Sequence, residues 1–84
     1  MKVSVLFFGH FRDIHPDGLE MDLPDRSTVA DLASTLGSQD PRLEPIVRIC
    51  RAAVSEEYVP TNTVLKAGDT VAFIPPMSGG VVEG

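Results

Sequence analysis

Alternating apolar and polar positions predict a β-strand at the start of the chain. Residues 2–8 are rich in Val, Leu and Phe, which favour extended backbone, and Gly9 marks the end of the run. The alternation assigns Val3, Val5 and Phe7 to a face that we expect to line the core. The opposite face begins polar and ends apolar, and it carries Lys2, Ser4, Leu6 and Phe8.

A tight turn and a second strand follow. Residues 15–18, His-Pro-Asp-Gly, predict the turn because proline fixes φ and Asp-Gly favours a reversal. Residues 19–23 then alternate between apolar and acidic side chains, which is typical of a half-exposed strand. We expect this strand to pair antiparallel with the first and to keep Glu20 and Asp22 in water.

An amphipathic pattern predicts one main helix after a loop at residues 24–27. Ser27 or Thr28 can cap its first turn, and Asp31 stands three residues after Thr28, at capping-box spacing. Gly37 is expected to end the helix in a left-handed conformation. The stripe that would face the sheet has the spacing i, i+3, i+4, i+7 and consists of Val29, Leu32, Ala33 and Leu36.

The second half of the chain predicts three more strands. Residues 38–45 contain two prolines and predict a loop with room for one helical turn after Pro41. The predicted strands, separated by polar turns, cover residues 46–54, 58–59 and 70–74. Pro75-Pro76 ends the last strand, because proline cannot donate to a ladder.

The resulting order, β-β-α-β-β-β, predicts an α+β domain at residues 1–76. Such an order favours a mixed sheet with the helix packed on one face and the other face left open. Residues 77–84 would form a flexible tail that contains the diglycine Gly79-Gly80.

The size and charge of the chain disfavour several classes of function. A chain of 84 residues is enough for one small domain, which has little room to enclose a substrate pocket of its own. The formal charge of −5, with no basic cluster, disfavours nucleic acid and anionic membranes as partners. It favours docking on a basic protein surface. No apolar run approaches the ~20 residues of a membrane span.

The usual catalytic groups are sparse. One cysteine, Cys50, excludes an internal disulfide, fits a cytoplasmic protein and is expected to be a buried, inert thiol in a strand. His10 and His15 are expected in or beside a surface loop, and no metal-ligand spacing is present. The acidic residues of the first third predict a solvated edge or, alternatively, an electrostatic docking patch; they are Asp13, Asp17, Glu20, Asp22 and Asp25.

The segment after the last strand is unusual. Two prolines stiffen its base, and Gly79-Gly80 could thread a channel too narrow for any other dipeptide. From Pro75 to Gly80 the chain reaches at most roughly 20 Å. A frayed terminus is the alternative interpretation.

These features resemble the small subunit of molybdopterin synthase, a ubiquitin-like β-grasp sulfur-carrier family related to the thiamine sulfur carrier. The resemblance covers residues 2–80 and is loose between about 24 and 50. Its most specific part is the closing sequence LKAGDTVAFIPPMSGG, in which a strand, a diproline, a short spacer and a diglycine follow in order. The opening VLFFG with Arg12-Asp13, and the middle Glu56-Glu57-Tyr58-Val59, add to it.

The resemblance implies that the Gly80 carboxylate is the working group, with Gly79 before it. An ATP-dependent enzyme would adenylate this carboxylate, and sulfur transfer would give a thiocarboxylate. The large subunit of the synthase would then use the sulfur to build molybdopterin. The chain itself would be a sulfur-donating subunit with no permanently bound cofactor.

The open sheet face is expected to meet these partners. By strand parity Leu6 and Phe8 lie on the same face of the first strand, and Ala72 and Ile74 lie on the same face of the last strand. We expect both pairs on the side of the sheet away from the helix. Coverage of Phe8 and Ile74 by the protein's own loops is the alternative. The remaining predicted partner contacts lie along the exit of the tail, at Pro75, Pro76, Met77 and Ser78.

The sequence departs from the family pattern after Gly80. Residues 81–84, Val-Val-Glu-Gly, leave Gly80 with a peptide bond in place of a free carboxylate. Removal by a protease, a role without activation, a sequence artefact and activation at Gly84 are the open interpretations. A ubiquitin-like protein modifier, a sulfur carrier for thiamine or another pathway, and an interaction domain with an inert tail are the alternative functions.

Overall fold

Five β-strands and two α-helices make up residues 1–76, the part of the chain that the computed structural model describes. In chain order they are β1 (Lys2–Phe7), β2 (Leu19–Asp22), α1 (Val29–Gln39), α2 (Leu43–Ile49), β3 (Arg51–Val54), β4 (Glu57–Val59) and β5 (Thr70–Ile74). A 3₁₀ helix, Gly9–Ile14, leads from β1 towards β2. The predicted tail at residues 77–84 lies outside the described residues.

The sheet has the strand order β2-β1-β5-β3-β4. β1 pairs antiparallel with β2, as predicted, and parallel with β5, with Val5 opposite Val71 and Phe7 opposite Phe73. β3 pairs antiparallel with both β5 and β4. The first and last strands are therefore neighbours within a mixed sheet, and because they are parallel their C-terminal ends lie side by side.

The core lies between one face of the sheet and the two helices. Val3, Val5 and Phe7 of β1 are almost fully buried, as their alternation predicted. Phe7 also stacks on Phe73, with ring centroids 5.9 Å apart. Burial of these side chains is the main favourable contribution to folding, at about 1.5–3 kcal/mol for each large one. The helices close this layer with the buried residues Val29, Leu32, Leu36, Leu43, Ile46 and Val47.

The start of α1 follows the predicted capping box. The Thr28 side chain accepts a hydrogen bond from the Asp31 amide at 3.2 Å, and the Asp31 carboxylate accepts one from the Thr28 amide at 2.9 Å. Two amides that the helix leaves unpaired are thereby satisfied. The isolated bridge between Thr28 and Val64 ties this helix end to the loop before β5.

The predicted end of α1 at Gly37 is wrong. The helix continues to Gln39, and Gly37 lies within it. A Cβ atom on Gly37 would come within 3.0–3.2 Å of the Cγ, Cβ and Cα atoms of Glu44. The glycine therefore allows α2 to approach α1 closely, and its lack of a side chain serves helix packing rather than a left-handed helix end.

The predicted strand at residues 46–54 is also wrong in its first half. Residues up to Ile49 belong to α2, and β3 begins only at Arg51. Leu43, Ile46 and Val47 have the i, i+3, i+4 spacing of a helical stripe, and all three are buried. The β-branched run was misleading because burial against α1 outweighs the modest strand preference of these residues.

Cys50 consequently caps the C-terminus of α2 rather than lying in a strand. Its amide donates to the Ile46 carbonyl at 3.1 Å, and its side chain is half-buried. This burial raises the pKa of the Cys50 thiol, because desolvation disfavours the thiolate. The predicted burial is therefore partial, and the raised pKa agrees with an unreactive thiol.

The capping box gives a direct test of the α1 start. Thr28→Ala removes the side-chain acceptor and is expected to lower the free energy of unfolding by about 1 kcal/mol. Ser34→Ala, at an exposed site within the same helix, is the control and should leave stability unchanged or slightly raised. Urea denaturation of both variants measures the difference, and equal midpoints would contradict the role assigned to Thr28.

The Cys50 environment predicts a pH dependence. Because the folded chain raises the pKa of this thiol, its contribution to stability is present below the unfolded thiol pKa, about 8.5, and is lost as pH rises through the folded value. Unfolding free energies measured between neutral and alkaline pH should fall more steeply for the wild type than for Cys50→Ala. Parallel curves would contradict the desolvation of Cys50.

Candidate functional site

The sheet face opposite the helices is open and apolar at its centre. Leu6 stands opposite Ala72 on β5, Ala72 stands opposite Ala53 on β3, and Ala53 stands opposite Tyr58 on β4. These four residues form a continuous row across four strands. Tyr58 is 53% exposed, so the row is open to solvent at its outer end.

A second row lies nearer the start of the tail. The Phe8 amide donates to the Phe73 carbonyl at 3.1 Å, which extends the β1–β5 ladder and brings Phe8 alongside Ile74. Ile74 stands opposite Arg51 on β3. Phe8 is 45% exposed and Ile74 is half-buried, so loop coverage does not account for this end of the face.

The structure thus brings together the four residues that strand parity assigned to the open face, and we call Leu6, Phe8, Ala72 and Ile74 the docking patch. They border a surface depression of about 550 Å³. Its further lining residues are Ala53, Ser55, Glu56, Tyr58 and Thr70. The location of the patch agrees with the sequence analysis, while partner binding at these residues stays a prediction.

Charge is confined to the margin of the docking patch. The Arg51 guanidinium lies 4.3 Å from the centre of the Tyr58 ring, a cation–π contact at the outer end of the central row. Glu56 lies at the opposite end of the hairpin that joins β3 to β4. The face therefore presents an apolar centre with charged groups at its margin.

The base of the tail is fixed by the same strand pairing. β1 and β5 end side by side, and Pro75 is buried immediately after β5. Gly9, at φ +65°, lies against the Pro75 ring. Pro76 is exposed and is the last described residue. The other predicted tail contacts, Met77 and Ser78, and the predicted working group, Gly79-Gly80, lie outside the described residues, as does the 81–84 extension.

Other candidate groups do not form a site. His10 is exposed in the 3₁₀ helix, whereas His15 is half-buried and stacks on Phe7 at 6.0 Å between centroids. Within residues 1–76 no three His, Cys, Asp or Glu side chains converge as metal ligands would. The five acidic residues of the first third are all exposed; Glu20, on the edge strand β2, pairs with Lys2 at 3.9 Å. No helix of the described part combines the length and apolar composition needed to cross a membrane.

Three residues of the open sheet face were not predicted from the sequence. Ala53 and Tyr58 belong to the central row, and Arg51 to the row beside the tail. Their signal was the hairpin itself, since pairing across residues 55–56 fixes which β3 and β4 residues share a face. The incorrect strand start at residue 46 obscured that register.

Known proteins are similar to this chain in both sequence and fold. Residues 5–80 match the ThiS family. A molybdopterin synthase sulfur carrier subunit from Chlamydomonas reinhardtii is 34% identical over 83 residues, which cover 95% of this chain and 100% of that protein.

Two solved structures extend the comparison. The complex of subunits 1 and 2 of the molybdopterin-converting factor from Helicobacter pylori contains a chain with a TM-score of 0.70 and 26% identity, covering 95% of this chain and 100% of that one. Small archaeal modifier protein 1 from Haloferax volcanii has a TM-score of 0.77 and 20% identity, covering 89% and 97% of the respective chains. At that identity the second likeness shows the fold alone.

The predicted ubiquitin-like β-grasp fold is confirmed by these structures, and the resemblance to molybdopterin synthase small subunits is confirmed by the sequence relative. The family match begins at Val5 within β1 and includes the docking patch, the base of the tail and the diglycine. On this match and the 34% identity, the chain belongs to the ThiS family.

Proposed function

We propose that this protein is the sulfur carrier subunit of a molybdopterin synthase. The observation that carries the proposal is its 34% identity, along 95% of the chain, to a protein of that name. The structure supports it in two ways. An apolar face is left open for a partner, and the last strand delivers the chain to the diglycine segment from a buried proline at the edge of that face.

The chemistry takes place at the Gly80 carboxylate. One oxygen of this carboxylate attacks the α-phosphate of ATP on an activating enzyme, which gives an acyl-adenylate and releases pyrophosphate. Hydrosulfide supplied by a partner then attacks the acyl carbon, the bond from that carbon to the phosphate oxygen breaks with release of AMP, and the product is a thiocarboxylate. ATP is consumed on the partner, so this chain needs no resident cofactor.

Activation requires a free Gly80 carboxylate. In this chain the Gly80 carbonyl is joined to Val81, so the Gly80–Val81 bond must first be hydrolysed. A protease that removes residues 81–84 supplies that step. The one cysteine of the chain cannot form an internal disulfide, which suits a reducing compartment, and we place the reaction in the cytoplasm.

The partner that receives the sulfur is the large subunit of the synthase. The Helicobacter pylori structure holds subunits 1 and 2 of the molybdopterin-converting factor together, and this chain is similar to a chain of that complex. We assign the docking patch as the contact surface. An apolar centre with charge at the margin is the usual composition of a protein interface.

A ubiquitin-like modifier function is not favoured. Likeness to the archaeal modifier rests on the fold at 20% identity, whereas the sulfur carrier likeness extends to 34% identity. The two functions differ in the fate of the acyl group, which ends as a thiocarboxylate in one case and as an isopeptide in the other.

Activation of a defined C-terminus tests the proposal. Two chains, the full sequence and one that ends at Gly80, are incubated with the cognate activating enzyme, ATP and a sulfur donor. Intact mass spectrometry should show replacement of one oxygen by sulfur on the shorter chain only. A chain that ends at Ser78 is the matched control and should remain unmodified. Lysine-linked conjugates without a thiocarboxylate would contradict the sulfur carrier function.

Shortening single side chains of the docking patch tests whether it is the contact surface for the large subunit. Phe8→Ala and Ile74→Ala should each weaken binding to the large subunit by about tenfold or more, since buried apolar anchors commonly contribute about 1–2 kcal/mol or more. Val64→Ala is the control because Val64 is 53% exposed and lies by the start of α1, away from the patch. Titration calorimetry measures the three affinities. Unchanged affinity of the patch variants, with folds intact by circular dichroism, would contradict the assignment.

A further inference from the structure

The ladder between β1 and β5 stops abruptly at the base of the tail. Its last bond runs from the Phe8 amide to the Phe73 carbonyl at 3.1 Å. In a parallel pair the Phe8 carbonyl would next accept from the amide of residue 75, but proline has no amide hydrogen. That carbonyl accepts instead from the Phe11 amide at 3.4 Å, as the chain turns into the 3₁₀ helix.

Gly9 lies where the two strands separate. A Cβ atom on Gly9 would be 2.7 Å from Cγ and 3.3 Å from Cδ of Pro75, and the first distance is shorter than any normal contact. The backbone of Gly9 is also at φ +65°, a conformation that favours glycine. The Pro75 ring is buried and occupies the space that a side chain at position 9 would need.

We propose that Gly9 is a positioning residue: by leaving room for the Pro75 ring, it sets the direction in which the tail leaves the domain relative to the docking patch. The inference rests on the proposed sulfur carrier function and extends it to a residue that touches no reacting atom. Gly9 acts through Pro75, and Pro75 acts on the segment that ends in Gly79-Gly80.

The direction of exit has chemical consequences because the tail is short. Gly80 is five residues beyond Pro75, so its carboxyl group lies within roughly 20 Å of that residue. Two prolines restrict the backbone at the start of this span. A partner docked on the patch has a reaction site at a fixed place, and a carboxyl aimed elsewhere reaches it less often.

Other glycines show that this arrangement is specific to position 9. Gly68 has φ +89°, yet a Cβ atom there would meet nothing within 4 Å. Gly18 has φ +74° and would meet the Val5 carbonyl, far along the strand from the tail. Gly68→Ala therefore imposes backbone strain without a clash, whereas Gly9→Ala imposes strain and also displaces Pro75. The difference between these two variants isolates the contact.

The first experiment separates docking from sulfur transfer. Chains ending at Gly80 are thiocarboxylated, and the affinity for the large subunit and the transfer rate at saturation are measured for the wild type, Gly9→Ala and Gly68→Ala. We expect Gly9→Ala to keep its affinity within about twofold and to lose about tenfold or more in rate, since misalignment of a bound reactant affects rate more than binding. Gly68→Ala should change neither quantity.

A second measurement is independent of the sulfur reaction. A nitroxide is attached at Ser78→Cys in a Cys50→Ala background, and paramagnetic broadening of backbone amides maps the side of the domain that the tail visits. Gly9→Ala should move the broadening to different residues, whereas Gly68→Ala should leave the map unchanged. If wild-type chains transfer no sulfur but the map still shifts, the proposed function fails while the positioning role stands.

Pro75→Ala keeps the test valid if Gly9→Ala does not fold. It removes the ring from the other side of the contact and should also shift the broadening map. Where both variants fold, Gly9→Ala should cost less transfer rate in the Pro75→Ala background than in the wild type, because the clash is already absent. Additive rate losses, an unshifted map in Gly9→Ala, or an affinity loss equal to the rate loss would each overturn the proposal.

Discussion

Parallel pairing of β1 with β5 is the constraint on which the rest of the structure depends. It places the first and last strands side by side at the centre of the sheet, with Val5 and Phe7 opposite Val71 and Phe73. Parallel strands need a long connection, and here α1, α2 and the β3–β4 hairpin supply it. The connecting helices cover one face of the sheet only. The other face is therefore left uncovered by any described element, and the tail must leave beside the end of β1.

An open apolar face exposes apolar surface to water, and the residues of this sheet keep that exposed area small. The central row uses two alanines, Ala53 and Ala72, between Leu6 and Tyr58, so the exposed apolar area stays small. The edge strands are short, and the β2 edge presents Glu20 and Asp22 to water, which discourages pairing with another sheet. The face thus stays apolar, and the β2 edge is protected from unspecific pairing.

Sequence patterns predicted the elements in which local and global preferences agree. β1, β2, β5 and the capped start of α1 were found because alternation, turn residues and capping chemistry all favoured the same structure. The prediction was wrong where a tertiary contact decides. Gly37 has the composition of a helix end but serves the close approach of Glu44, and the β-branched residues before Cys50 are held in a helix by α1. Gly9 likewise marked the end of a strand in sequence, and only the structure shows Pro75 against it.

The small size of the domain and the proposed role of its chain end have one physical explanation. A domain of this size has little interior to spare for an enclosed reaction site. Under the proposed function, the domain holds a chain end while another protein supplies the reaction site. Gly9, Pro75 and the last β1–β5 hydrogen bond lie together where the two central strands end, at the residue from which the chain continues towards the diglycine.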